Sequence, residues 1–434
     1  MIAHLLLAVQ LAAQDTGSLT LAGAVRRALA SQPGVASARE SRAAAAASVG
    51  EARAPLWPRL SASFGVNEYK IGYLVYPLSG LSPLDPPLFN TTVSQAALQL
   101  GYTLFDFGGR TSQVRLAQAN ERKAEAALDA ASAALVSRVA NAYLRVLTTR
   151  GILDAEERQV AALRAEAGRV AQLEAQGKAA HVEVLRLAAQ VSRSRADQVG
   201  TRAQLEVAQR DLAQLVALPM DTTRLLAPVR LADTTLPDRA ALVASAEQSS
   251  PDVAQTLRAA EAAGAGIGVA RATLLPQLQL SAAYMENGHS FTGYRPYWSA
   301  GLQLSYPIFT GGSRANAIRR NEATARAANQ QLRAAQQAAE QSVDAALATL
   351  TAARATVEAL ATAVAQSEEV ERIRLLSLQV GSGTETDYLD AEAQLLSNRA
   401  SLVQARNAEI AARVELARVT GELSPEWMAR VLAQ

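Results

Sequence analysis

Asp387 and Asp390 stand three residues apart in the segment Gly381-Ser382-Gly383-Thr384-Glu385-Thr386-Asp387-Tyr388-Leu389-Asp390. On a helix that spacing puts both carboxylates on one face, where they can attract cations and repel anions. Thr384 followed three residues later by Asp387 is also a capping-box-like helix start, so Asp387 can instead serve the helix terminus. Asp390 lies too deep in the same helix for that role. Other chemistry is excluded by what the chain lacks. There is no cysteine, which removes disulfides, thiolate zinc sites, cysteine nucleophiles and a lipid-modified N-terminal cysteine. His4, His181 and His289 are too far apart to form a metal-ligand spacing. Gly264-Ala265-Gly266-Ile267-Gly268 lies inside a helical pattern with no strand before it, so it is not a nucleotide loop. No Gly-x-Ser-x-Gly or His-Glu-x-x-His motif occurs. The expectation is no catalytic activity, no cofactor and no metal centre.

The elements that must carry these carboxylates occur twice. Ser31-Gln32-Pro33-Gly34-Val35 returns as Ser249-Ser250-Pro251-Asp252-Val253, 218 residues later. Gly177 with Val184-Leu185 and Gln190 returns as Gly381 with Tyr388-Leu389 and Gln394, offset by 204. A period near 200 residues is far beyond the roughly 20–50 of solenoid repeats, so two domain-sized copies form one pseudo-symmetric object. The expected divisions are a signal peptide over 1–14, repeat 1 over 15–218, a linker over 219–237, repeat 2 over 238–421 and a tail over 422–434. Met1 to Val9 supplies the apolar run of the signal, with small residues near Ala12-Ala13.

No proline falls between Pro87 and Pro219 or between Pro307 and Pro425. Each of these stretches is rich in good helix formers and can hold two helices of about 60 residues, roughly 90 Å each. Val184, Val191, Leu205 and Leu212 hold a seven-residue grid with Gln198 as the lapse. Tyr388, Leu395, Leu402 and Leu416 hold the matching grid with Glu409 as the lapse. That repeat predicts coiled-coil packing. Elsewhere no run of about 18 apolar residues predicts a membrane helix.

Strict alternation precedes each helical stretch. Leu60, Ala62, Phe64 and Val66 alternate with polar or small residues, as do Leu98, Leu100, Tyr102 and Leu104. Leu278, Leu280, Ala282 and Tyr284, then Trp298, Ala300, Leu302, Leu304 and Tyr306, repeat the pattern. Strands are therefore expected at about 59–71, 92–106, 277–288 and 297–309, long enough for membrane-spanning β-strands. Of 19 aromatic residues 16 lie in 57–107 or 284–309, which fits an interfacial girdle. Four strands cannot close a barrel, because membrane barrels begin at about eight, and an open edge in lipid is costly. The chain must oligomerise. Two copies or three would both satisfy the strand count. The 42 basic and 40 acidic residues interleave along the helices, which argues against nucleic acid.

This order of elements resembles the TolC-like outer-membrane efflux proteins. Arg53 to Leu60 and Arg271 to Leu278 carry Ala-Arg…Pro-x-Leu into each first strand. Leu104-Phe105-Asp106-Phe107-Gly108-Gly109-Arg110 and Ile308-Phe309-Thr310-Gly311-Gly312-Ser313-Arg314 lead out of each second one. Gly-x-x-x-x-x-[Asp/Glu]-x-Leu ends at Leu185 and Leu389. The resemblance implies a mainly α fold with membrane β: a homotrimer whose twelve-stranded outer-membrane barrel continues into a periplasmic α-helical barrel. It implies a passive exit duct in outer-membrane lipid. The duct docks on a periplasmic adaptor, with an inner-membrane transporter of RND, ABC or MFS type behind it. It also implies that Asp387, Asp390 and Glu183 form an acidic ring at the pore entrance. Gly177, Lys178, Gly381, Ser382, Gly383 and Thr384 would form the tip where the adaptor docks. The basic residue and tyrosine that latch the tip in this family correspond here to Gly383 and Leu378, so that latch is absent. The rival readings are a periplasmic coiled-coil scaffold or adaptor without a pore, and a plain diffusion porin.

Overall fold

The structure, a computed structural model, describes residues 18–75, 89–221, 226–232, 235, 238–289 and 291–433. The expected signal segment 1–14 lies outside them. In chain order the elements are α1 (Leu21–Ser31), α2 (Pro33–Arg53), β1 (Arg59–Leu74), β2 (Phe89–Phe105), α3 (Gly109–Ala175) and α4 (His181–Val216). Then come β3 (Arg230–Leu231), α5 (Arg239–Ser249), α6 (Pro251–Ala272), β4 (Gln277–His289) and β5 (Thr292–Ser305). The chain closes with α7 (Ser313–Gln379), α8 (Glu385–Val419), α9 (Pro425–Val431) and β6 (Leu432–Ala433).

The long helices are unequal, unlike the even pairs expected from the proline-free stretches. α3 and α7 each run 67 residues, about 100 Å at 1.5 Å per residue. Their partners α4 and α8 have 36 and 35. α4 stops where Ala217 turns left-handed (φ 50°), two residues before Pro219. α8 stops at Val419, six residues before Pro425. One 18-residue window of α7 is apolar enough by composition to cross a membrane, contrary to the expectation from the sequence. Alanine recurs throughout this helix and raises its average without supplying large apolar side chains.

The described chain divides into two compact units. The first holds residues 1–39, 127–254 and 334–434. Its core gathers Leu21 and Val25 of α1, Tyr143 of α3, Leu212 of α4, Val414 of α8 and Met428 of α9, all fully buried. The seven-residue grid is the seam: Leu205, Leu212, Leu395, Leu402 and Leu416 are buried. Glu409, the lapse, is only 13% exposed and faces Arg354 of α7 at 3.4 Å, so an ion pair fills the apolar position. The segment between the repeats is pinned by β3, which pairs antiparallel with β6. Tyr143 ties the same region together. Its hydroxyl lies 2.7 Å from the carbonyl oxygens of both Leu19 and Ala227, and burial pushes its pKa far above the ordinary phenol range. Removing that hydroxyl strands the buried Ala227 carbonyl, while the Leu19 carbonyl keeps the Ala227 amide at 3.1 Å. Tyr143→Phe is expected to lower unfolding stability by about 1–3 kcal/mol, read from urea titration of the detergent-solubilised protein.

The second unit holds residues 40–126 and 255–333 and carries a four-stranded antiparallel sheet in the order β1-β2-β4-β5. Its register runs side chains of one kind across all four strands. Ala62, Leu98, Tyr284 and Trp298 form one row; Ser61, Gln99, Ala283 and Ser299 form the next, on the opposite face. A period of two keeps the faces distinct. The apolar face is bare in this unit: Leu60, Phe64, Trp298 and Leu302 are each more than 60% exposed. β1 and β5 each have one unpaired edge among the described residues. Such a sheet is stable neither in water, with its apolar face bare, nor in lipid, with its edges open.

Candidate functional site

Two tight turns join the long helices, α3 to α4 at Gly177 and α7 to α8 at Gly381. Both glycines are left-handed, with φ 71° and 74°, a conformation that strains any residue bearing a Cβ. Each turn closes in the same way. The Lys178 amide donates to the Leu173 carbonyl at 2.8 Å, and the Ser382 amide to the Ser377 carbonyl at 2.9 Å. These are the six-to-one bonds of a Schellman C-cap. Gly177, Lys178, Gly381, Ser382 and Thr384 are exposed and Gly383 is half-buried. A Cβ on Gly383 would meet that of Ser377 at 2.9 Å, so glycine is required there by packing. The first turn carries a further tie: His181 Nδ1 lies 2.6 Å from Glu174.

The acidic residues named from the sequence have different surroundings. The Asp387 amide donates to the Thr384 hydroxyl at 3.2 Å, which caps α8. The Asp387 carboxylate returns the interaction. Hydrogen bonding to Thr384, aided by Arg374, holds its pKa below the ordinary aspartate range. Arg374 of α7 is 3.9 Å away. Asp387 therefore ties the start of α8 to the end of α7. Glu183 pairs along its own helix with Arg186 at 3.2 Å. Asp390 is exposed and has no ion pair among the described residues. It is the one carboxylate of the three whose charge no neighbouring arginine offsets.

Sequence reasoning passed over an acidic group one turn further on. Glu392 of α8 borders a small crevice with Gln159 and Leu163 of α3 and Leu389 and Leu396 of its own helix. Burial there, and then repulsion from Glu371 of α7, raise its pKa above the ordinary glutamate range. Tyr388 is likewise raised, by burial and then by both glutamates. The available signal was spacing: Tyr388 and Glu392 are four apart and share a face, but nothing in the sequence marked Glu371 as lying opposite. A raised carboxyl pKa favours the folded packing below the ordinary glutamate value, and that contribution is lost as pH rises through the folded value. The Asp387 contribution has the reverse sign and is lost only in strong acid. Above the ordinary glutamate range, then, it is the Glu392 contribution that changes with pH. Protection of the first turns of α8 against hydrogen exchange, corrected for the intrinsic rise of exchange with pH, is expected to fall as pH rises above the ordinary glutamate range in the native chain, and Glu392→Gln to flatten that response.

The Outer membrane efflux protein family matches residues 24–218 and 242–422, which takes in both repeats, both hairpins and both turns. The chain belongs to that family, whose members are outer-membrane efflux channels. Protein CyaE of Bordetella pertussis is 29% identical over 306 residues, 69% of this chain and 62% of the relative's own length. Outer membrane protein TolC of Vibrio cholerae is 25% identical over 417 residues, 94% of this chain and 91% of that one. In fold, the chain is similar to the crystal structure of outer membrane protein VceC from Vibrio cholerae. That match has a TM-score of 0.74 at 22% identity, over 92% of this chain and 96% of the other.

Proposed function

We propose that this chain is the passive exit duct of a tripartite efflux or secretion assembly. It works as a homotrimer whose shared barrel opens to the exterior and whose helices reach across the periplasm. The observation that carries this reading is the single-layer sheet, apolar on one face, polar on the other, and unpaired along β1 and β5. Three copies joined edge to edge supply twelve strands, enough to close a barrel, with the Ser61–Gln99 row turned to water and the Ala62–Trp298 row to lipid. A scaffold without a pore has no use for such a sheet. A porin has no use for two 67-residue helices.

In this reading the turns at Gly177 and Gly381 are the periplasmic tips. Lys178, Ser382, Gly383 and Thr384 present the backbone and small side chains on which an adaptor hairpin seats. Asp390 supplies the fixed charge at the entrance, with Asp387 and Glu183 beside it. The energy source is an inner-membrane transporter of the RND, ABC or MFS type. The tie between Arg374 and Asp387 takes the place of the latch missing at Gly383 and Leu378, within one chain. A photo-crosslinking residue at Ser382, used in the native host and read by mass spectrometry, tests the docking. Capture of a periplasmic adaptor is the expected result. Failure to capture any partner, from protein recovered in the outer membrane, would overturn the tip assignment.

A further inference from the structure

In the sheet-bearing unit, arginines recur at seven-residue spacing on both long helices: Arg115 and Arg122 on α3, and Arg319, Arg326 and Arg333 on α7. The 204-residue offset that relates the repeats superimposes the first two pairs. All five are exposed. Seven residues is close to two helical turns, so each set forms one column along its helix.

The surroundings fix which way the α3 column points. Gln113 and Asn120 of α3 border an open hollow of about 1410 Å³, together with Arg59, Thr103, Gln279 and Ser281 from the polar face of the sheet. That is the side the proposed duct turns to its lumen. At 100° per residue, Arg115 and Arg122 lie about 140–180° around the helix from Gln113 and Asn120. They face away from the lumen. On α7, Glu322 faces α6 through Arg271 at 2.9 Å, just as Glu125 of α3 faces α2 through Arg42 at 3.3 Å. The two helices are therefore set alike, and Arg319, Arg326 and Arg333 face outward too.

Three acidic residues of these helices are already taken. Glu125 pairs with Arg42, Glu322 with Arg271, and Glu261 with both Arg258 and Arg122. Arg115, Arg319, Arg326 and Arg333 have no ion pair among the described residues. Counted from the first residues of α3 and α7, the arginines lie about 9, 20 and 30 Å along the helices. The exposed Trp57, Ile308 and Phe309 beside the strand ends mark the membrane rim above them. An anionic lipid surface acts over about one Debye length, about 8 Å at physiological salt. It can reach the first level and not the other two.

We infer that these columns are a docking surface for a carboxylate-bearing polymer that lies beneath the outer membrane and runs past the outside of the tunnel, the chemistry of peptidoglycan. This rests on the trimeric-duct reading, which sets the outward face. Three copies present twelve unpaired guanidinium groups in a collar about 20 Å deep. Planar forks suit carboxylates along a flexible strand, because each can pair without demanding one register.

The test is co-sedimentation of the detergent-solubilised full chain with purified sacculi, native or with their carboxylates amidated. Its mass and single-channel conductance are measured first; a chain without a trimer or a pore would defeat the duct reading by itself. The wild type is expected to pellet with native sacculi and about tenfold less with amidated ones. The variant R115Q/R319Q/R326Q/R333Q is expected to lose about as much, while keeping wild-type ion selectivity. Equal pelleting of variant and wild type would overturn the inference, as would indifference to amidation. A change in the variant's ion selectivity would place the arginines in the lumen and overturn it as well. Loss of binding to phosphatidylglycerol vesicles with sacculus binding intact would make lipid the ligand instead. If the variant fails to assemble, the wild type on amidated sacculi decides alone.

Discussion

Leu98→Arg is expected to abolish the membrane-inserted oligomer, while Gln99→Arg, its neighbour on β2, leaves assembly intact. The two residues are adjacent in sequence and opposite in environment. Leu98 stands between Ala62 and Tyr284 in the row that ends at Trp298, and Gln99 between Ser61 and Ala283 in the row that ends at Ser299. An arginine on the lipid face of a barrel costs about 2–4 kcal/mol near the midplane. Three copies in one barrel bring that to about 6–12 kcal/mol, comparable to the whole stability of an ordinary domain. On the polar face the same side chain remains hydrated and alters only the charge of the pore. The measurement is recovery of the heat-labile oligomer from outer-membrane fractions. Equal recovery of both variants would show that the row assigned to lipid is not in lipid, and the edge-to-edge barrel would fall with it.

How much of this was legible in the sequence depends on the range of the interaction concerned. The alternation around Leu98 and Trp298 is local, and it gave the faces of the sheet directly. The duplicated glycines gave the turns for the same reason: a left-handed residue is a property of one position and its immediate neighbours. The helix lengths were misjudged because proline-free sequence sets only an outer bound. Where α4 stops is settled by Ala217 adopting the left-handed conformation, and alanine carries no signal of that. Glu409 looked like a lapse in the apolar grid, yet Arg354 on another helix makes it a paired position. Glu392 was missed likewise, since its surroundings come from α3 and α7. Charge was the most misleading of these features. Acidic and basic residues interleave along the chain, but the fold spends Glu125, Glu261 and Glu322 on particular arginines. It leaves Arg115 and the column that starts at Arg319 without an ion pair among the described residues.

Asp390→Asn is expected to lower the cation preference of the reconstituted pore by about tenfold, together with its block by multivalent cations. Asp387→Asn should change either property far less. From sequence the two aspartates were equivalent, three apart on one face. Structure separates them. The Asp387 carboxylate is bonded back to Thr384 and sits 3.9 Å from Arg374, so its field is partly cancelled at the source and much of its role is to hold the start of α8. Asp390, one turn deeper, has no such partner. With Asp390 at the proposed entrance of the trimer, three such charges would add, because the low-dielectric wall focuses the field into the water-filled opening. Asp387→Asn should act through mechanics instead. With the cap and the tie to α7 weakened, α8 frays at its first turn, and the entrance opens more often without changing which ions it prefers. Planar-bilayer recordings of the two single variants read both properties at once, reversal potential for selectivity and open probability for gating. If Asp387→Asn shifted the reversal potential as far as Asp390→Asn, the cap and the arginine would not be shielding it, and the entrance would be governed by a six-carboxylate ring after all.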